Sequence, residues 1–422
     1  MSRATPEPLA TLSSGRPVIR LLFFTREPFP LRLVDVDVLF GRELIGRGHH
    51  IDFVMLADTS WEAADRPLWH GRPVFLAQGP RGGGLPSRVL REAVHLWHDL
   101  RHLLSASRRD YDAIQIRDKF LIGSLGLLIA RWRGLKFFFW LSFPYPQIDL
   151  QYARERRSRW PALNYLRGTF SGLVLYRWIL PHSDQAFVQS EQMKRELCAH
   201  GVDPARLTAV PMGVDLSDLP PATHVARRDG AKVVLGYLGA LAAERRLLVL
   251  VDMLAQLRSQ GVDAHLLLVG GAYVPEDVRA IEERAALLGV AEQMEITGML
   301  PRARALERIR EAHIALSPIY PSEVFRVSSP TKLIEYLALR IPVVANDIPE
   351  QKSVLRASRA GVCAPWGAGH FARAVRWLLG HPRELEKMGV RGREWVESNR
   401  SYTRIADAVE RRYLELLPRE AS

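Results

Sequence analysis

Cysteine is nearly absent: 422 residues hold only Cys198 and Cys363. That excludes a disulfide scaffold and a cysteine metal cluster, and a reducing cytoplasm is the simplest setting. Long apolar runs are missing too. The longest, Phe120 to Ala130, is too short to span a bilayer, and Met1 to Pro17 form a polar tail without the apolar core of a signal peptide. The 13 histidines are scattered without zinc spacing, so no metal is expected. Acidic residues are outnumbered, 46 against 58 Lys and Arg, leaving a net charge of +12. Such a surplus favours nucleotides, anionic lipid headgroups or nucleic acid. Nucleic acid is set aside because no recognition module of that kind is present.

What is present is the composition of a soluble globular protein, 47% hydrophobic and 25% charged, in a chain long enough for two domains. One stretch, Ser328 to Ala345, organises the reading. Ser329 suits an N-cap and Pro330 the first helical position. Leu333, Ile334, Leu337 and Ala338 recur at helical spacing, and Ile341 to Ala345 reads as a buried strand. A helix mouth at Ser328, Ser329 and Thr331 offers free N–H groups to a phosphate. Lys332 adds a full charge, and Glu335, three residues on, can accept ribose hydroxyls. An exposed Lys–Glu pair on an ordinary helix explains these two residues equally well.

Strands alternate with helices along the whole chain. Val18–Phe24 reads as a first buried strand, followed by a loop over Thr25–Leu33 and a helix near Val34–Gly46. Loops beyond the carboxyl ends of parallel strands line ligand clefts. Arg26, Glu27, Arg32 and Asp35 after the first strand, Arg117 and Asp118 after a later one, and Ser142 after Lys136–Leu141 are therefore candidates to line such a cleft, although a solvated loop or a packed turn explains any one of them equally well. Pro86–Asp110 and Arg154–Leu180 mix basic, aromatic and apolar residues, including Arg157 and Arg159 in the second. Each reads either as a membrane-surface element or as a core-facing helix with a basic back. Ser190 should cap a helix, and Ser217–Gly230, with Pro220-Pro221, is the best linker. The domain reading is a tail over 1–17, a first domain over 18–216, a linker over 217–230, a second domain over 231–398 and a last helix over 399–422.

Several segments resemble glycosyltransferase family four, the large retaining group with the GT-B fold, from about Val18 to about Leu417. PTKLIEYLALRIPVVA resembles its P-x-K-x-x-E-Y-x-A-x-G-x-P-V-V segment. SDQAFVQSE resembles A-D-x-V-x-x-x-S-E, and VPMGVD resembles I-P-N-G-V-D. GALAAERR resembles G-R-L-x-x-x-K-G, and Glu295 to Pro301 resembles V-x-F-x-G-x-V-P. The resemblance implies an α/β protein of two Rossmann-like domains facing across a cleft, the last helix crossing back to the first. It implies a metal-independent, retaining hexosyltransferase with no cofactor, using a UDP- or GDP-sugar on a glycan or lipid-linked acceptor in cell-envelope or exopolysaccharide synthesis. Attack would come from the front face, the leaving phosphate helping to take the proton. Arg245 and Lys332 would lie at the diphosphate and Glu335 at the ribose. Gly239, Gly270, Gly271, Gly298, Ser328, Ser329, Thr331 and Glu350 would line the donor. The protein would sit in the cytoplasm, peripheral at the inner face of the membrane. Three departures stand out: Ala240 replaces a phosphate-binding arginine, Val327 a sugar-touching glutamate and Arg340 a helix-ending glycine. They leave open a non-catalytic scaffold of this fold, or a GT-B nucleotide-sugar epimerase.

Overall fold

A computed structural model describes residues 17–30, 34–58, 67–80, 82, 84–156, 160–220 and 232–417. Residues 1–16 of the expected tail over 1–17, Arg32, Arg157, Arg159 and residues 221–230 of the expected linker lie outside the described residues. The chain divides into two compact units. The first takes the chain up to Leu141, Arg177–Ala186 and everything from Ala406; the second takes Ser142–Tyr176 and Phe187–Ile405.

The first unit is built on a parallel sheet. Its strands are β1 (Arg20–Phe29), β2 (His50–Ala57), β3 (Leu68–Trp69), β4 (Arg72–Ala77), β5 (Ala113–Arg117), β6 (Lys136–Leu141) and the start of β7 (Gln185–Val188). Their order is β3-β4-β2-β1-β5-β6-β7, with β4, β2, β1, β5 and β6 parallel and β3 antiparallel at the edge. Continuous apolar runs such as Phe137-Phe138-Phe139 make strands covered on both faces, as parallel sheets require. β1 outlasts its expected end at Phe24. Its pairing with β2 breaks there and resumes at Pro28 opposite Leu56, so Arg26 and Glu27 sit in a bulged strand rather than a free loop. The next helix, Asp35–Leu44, is wound in wide i→i+5 turns. The last helix, Tyr402–Leu416, belongs to the first unit from Ala406 onward, where Tyr413 donates to Gln115 and Glu410 pairs with Arg47 at 2.6 Å.

In the second unit β7 pairs with β8 (Leu207–Ala209). A separate six-stranded sheet holds β9 (Val233–Leu238), β10 (Ala264–Val269), β11 (Met294–Ile296), β12 (Ile314–Ser317), β13 (Val343–Asn346) and β14 (Gly361–Ala364). The order is β11-β10-β9-β12-β13-β14, with every resolved pairing parallel. This is the doubly wound order, and its switch point falls between β9 and β12, where such sheets bind ligands beyond the strands' carboxyl ends. One apolar cluster packs the helices Leu248–Ser259 and Ala368–Leu379 on one face; a second packs Thr331–Ala338 and its neighbours on the other. Burying each such large side chain contributes about 1.5–3 kcal/mol.

The helix Thr331–Ala338 ends in a left-handed residue, Arg340 at φ 62°, with Arg340 N–H bonded to Leu337 O (3.0 Å) and Ile341 N–H to Tyr336 O (2.9 Å). That is a Schellman ending, which normally uses glycine. Arginine adopts it because Gly389 packs against the Arg340 carbonyl and Arg393 Nη1 holds Ala338 O at 3.0 Å. A left-handed L-residue costs about 1–2 kcal/mol. Arg340→Gly should therefore raise unfolding free energy by about 1 kcal/mol, read by denaturant melts; a fall would show that the arginine side chain contributes more than its backbone costs.

Candidate functional site

The glycines at the β9 and β10 ends set the site's backbone. Gly239 (φ 140°) and Gly270 (φ 152°) both need conformations that favour glycine, and a Cβ on Gly270 would lie 2.1 Å from Gly239 O. The two turns therefore touch through bare backbone. A Cβ on Gly239 would come 3.2 Å from Lys332 Nζ, so the same absence admits the lysine. Gly271 is pressed against Met299, whereas Gly298 (φ 72°) faces open space.

Lys332 bonds to Tyr237 rather than to Glu335. Its ammonium donates to Tyr237 Oη at 2.8 Å and lies over that ring at 4.1 Å. Tyr237 Oη in turn donates to Ala240 O at 3.2 Å, tying the lysine to the turn after β9. Tyr336 accepts from Leu238 N–H at 2.7 Å and fixes the end of the same strand. Burial, followed by the Arg245 guanidinium, pushes Lys332 well below the usual lysine range, against the pull of Glu335. Burial also raises Tyr237 to about 12. Arg245 lies in a short turn, its guanidinium 5.1 Å from the Phe325 ring. Two expected phosphate ligands are thus close enough to repel each other. Among the described residues neither cation forms an ion pair with a carboxylate, Glu335 acting on Lys332 only at a distance.

This arrangement has a consequence for proton linkage. A depressed lysine pKa means the unfolded chain binds more protons, so stability from this group rises with pH between the depressed value and about 10.4. A diphosphate restores the charged form. Nucleotide binding in that window should take up protons, visible as a dependence of binding heat on buffer ionisation heat; no dependence would mean that Lys332 is charged in the empty site.

Glu335 is buried, 4% exposed, and pairs through Oε1 with half-exposed Arg302 at 2.6 Å. Among the described residues Arg302 engages Oε1 alone. Glu350 is buried and paired with Arg400 at 2.7 Å. Ser329 is not the helix cap. Its hydroxyl accepts from Met212 N–H at 3.0 Å, while Pro330 takes the cap position with no side-chain bond, leaving the helix mouth uncapped beside Thr331. Ser328 donates to Phe325 O at 2.6 Å. Ser190 caps its helix as expected, accepting from Met193 N–H at 3.0 Å, and also donates to Val327 O at 2.6 Å. Val327 is buried, and Glu323 is an exposed partner of Arg154.

Sequence reasoning missed a polar brace behind the site. Asn346 bonds both the N–H (2.7 Å) and the O (2.8 Å) of Ile319, and Gln351 holds Ser317 O and Asn346 O, each at 3.1 Å. These buried amides fix the loop leaving β12. Their only signal was polarity beside apolar strand ends.

Of the seven cleft candidates, Arg26, Glu27, Asp35, Arg117 and Asp118 are described residues of the first unit. Buried Arg117 pairs with Asp35 at 2.9 Å and lies 3.5 Å from Asp118. Burial raises Glu27, opposed by Arg117 and reinforced by Asp118 and Asp35. Arg26 adjoins this group as the residue before Glu27. Ser142 falls in the second unit. Among the described residues no cluster of His, Cys, Asp or Glu could hold a metal ion.

Comparison with known proteins fits this architecture. A model described as Glycosyltransferase Family 4 matches residues 38–218, and one described as Glycosyl transferases group 1 matches 232–381. A D-inositol 3-phosphate glycosyltransferase of Nocardia farcinica is 28% identical over 227 residues, 50% of this chain and 49% of the relative. A GDP-mannose-dependent alpha-(1-6)-phosphatidylinositol dimannoside mannosyltransferase of Mycobacterium tuberculosis is 28% identical over 190 residues, 44% and 46% of the two chains. The chain thus spans about half the length of the curated relatives it matches. The fold is similar to that of a sucrose-phosphate synthase from Thermosynechococcus elongatus, with TM-score 0.72 and 19% identity over 94% of this chain and 99% of that one. The chain thus carries a Glycosyltransferase Family 4 domain followed by a Glycosyl transferases group 1 domain, on a GT-B fold.

Proposed function

We propose that the protein transfers a hexose from a UDP- or GDP-sugar to a hydroxyl of a glycan or lipid-linked acceptor, with retention and without a metal, in cell-envelope or exopolysaccharide synthesis. The observation that carries this reading is the cationic group Lys332 and Arg245 at the switch point of the β9–β14 sheet, beside an uncapped helix mouth and bare-backbone glycines. A diphosphate seated there neutralises charges that otherwise repel, and Glu335 Oε2 is available to ribose. Fixed cations and helix N–H groups then stabilise the charge that grows on the leaving diphosphate. That phosphate can accept the acceptor's proton on the same face, which gives retention without a protein base. The lipid acceptor and nucleotide donor named for the mycobacterial mannosyltransferase support the substrate class. Sucrose-gradient fractions or total lipid extracts serve as acceptors in the test, with UDP-glucose and GDP-mannose as donors. Release of nucleoside diphosphate coupled to a new α-glycoside supports the reading. Nucleotide binding without sugar transfer favours the scaffold, and sugar isomerisation favours the epimerase.

We infer a peripheral site of action at an anionic membrane. No described helix is long and apolar enough to cross one. The helix Leu85–Ser105 exposes Val89, Leu90 and Trp97 between Arg88, Arg91 and Arg101, so its apolar residues are not all turned to the core. The helix Pro161–Leu173 exposes Leu163, Leu166, Phe170 and Leu173 at helical spacing. Apolar residues with a basic surround insert at headgroup level. The protein should co-sediment with phosphatidylglycerol vesicles at low salt and much less at high salt. Equal binding to neutral phosphatidylcholine vesicles would contradict this.

A further inference from the structure

Arg246 stands outside the ligand set described so far, and its backbone is left-handed, as are those of Arg156, Arg340 and Arg359. Its φ of 54° is left-handed, a conformation that costs an L-residue free energy and that glycine would adopt without strain. It closes the short turn Ala243–Arg245 with its N–H on Ala243 O at 3.0 Å. Its side chain is exposed, and no carboxylate partners it among the described residues. Instead the guanidinium lies 5.2 Å from the ring of Tyr320. That ring is itself held edge-on by Trp366 at 5.6 Å, and Trp366 by Phe371 at 5.9 Å. The Asn346 bonds to Ile319 fix the backbone next to it. The platform is therefore rigid, and an arginine stacked on a ring keeps its N–H edge for in-plane bonds.

Arg245 repeats the arrangement on Phe325. Two adjacent arginines thus rest on two aromatic residues of one loop, the one leaving β12, at the switch point between β9 and β12. A solvated surface arginine needs no ring braced beneath it, as Tyr320 is by Trp366.

Building on the donor reading above, we propose that Arg246 is a phosphate-binding residue that takes the distal phosphate of the nucleoside diphosphate, so that the site selects diphosphates over monophosphates. Arg245 and Lys332 then serve the charge nearer the β9 turn, and position 240, which carries only a methyl group, is relieved of a cationic role.

The test is titration calorimetry of the full chain with UDP, UMP, GDP and GMP in EDTA buffer. Whichever base binds, the wild type should prefer the diphosphate by at least about thirtyfold. Arg246→Gln should weaken the diphosphate about tenfold or more and leave the monophosphate within twofold. Arg246→Gly, which relieves the backbone and so folds at least as well, should show the same selective loss. Diphosphate affinity within twofold of wild type in both variants would overturn the proposal while leaving the donor site standing. Equal loss for monophosphate and diphosphate would also overturn it, since Arg246 would then act on the fold or on the nucleoside. Failure of every nucleotide to bind the wild type would instead remove the donor reading itself.

Discussion

Arg245→Ala and Lys332→Ala should each slow release of nucleoside diphosphate by roughly a hundred- to a thousandfold, about 2.7–4 kcal/mol in the barrier. Donor affinity should fall less. The reason lies in when the charge appears: the diphosphate gains negative charge as the glycosidic bond breaks, so a fixed cation matters more in the transition state than in the bound donor. Lys332 is well placed for this. Tyr237 holds its ammonium at 2.8 Å and anchors it to the β9 turn, so little reorganisation is needed as the charge develops. Arg245 is likewise held on Phe325. Turnover is read as steady-state nucleoside diphosphate release and affinity by calorimetry. Normal turnover in both variants would mean that the phosphate sits elsewhere. Equal losses in affinity and turnover would mean that the two cations bind ground and transition states alike.

The second large effect is expected at Glu335→Gln. The variant keeps the shape but loses a charge-assisted acceptor, which costs about 1.5–3 kcal/mol, so nucleotide affinity should drop roughly tenfold or more. The Arg302 pair sharpens the expectation. Arg302 is half exposed and can turn to water when the carboxylate is neutralised, so the variant should fold. Arg302→Ala is the companion variant. It frees both carboxylate oxygens and should bind nucleotide at least as well as the wild type if Arg302 competes with the ribose. Unchanged affinity in folded Glu335→Gln would remove the ribose assignment.

Much of this was legible in the sequence because the signals were local. Lys136–Leu141 has the expected bounds, since a run of aromatic strand residues leaves little choice. Ser190 announced its own cap. Ser329 looked equally good and failed, because its hydroxyl is taken by Met212 N–H, far away in sequence. The end of β1 was misread for a similar reason: Thr25 to Pro28 is polar, and only its partner strand shows that pairing resumes.

The same limit governs the site. Spacing suggested that Lys332 and Glu335 could face one ligand together, but it could not show that Tyr237 and Arg302, on separate elements, hold them. The glycines were ambiguous between turns and ligand approach. Gly270 proves necessary for contact with Gly239 itself, which no single-residue signal could show. Arg246 was indistinguishable from a surface arginine until its φ and its Tyr320 platform were visible. Asn346 and Gln351 offered only their polarity beside apolar strand ends, because a buried amide is recognised by its partners rather than its neighbours in sequence.

The most direct test is calorimetric titration of UDP and GDP into the wild-type chain, in EDTA buffer, alongside a Lys332→Ala, Glu335→Gln double variant. The wild type should bind one of the two nucleotides with one site per chain and without added metal, and the double variant should bind it at least about a hundredfold more weakly. Binding that survives in the folded double variant, or that requires a divalent cation, would contradict a metal-independent donor site at the start of the Thr331–Ala338 helix.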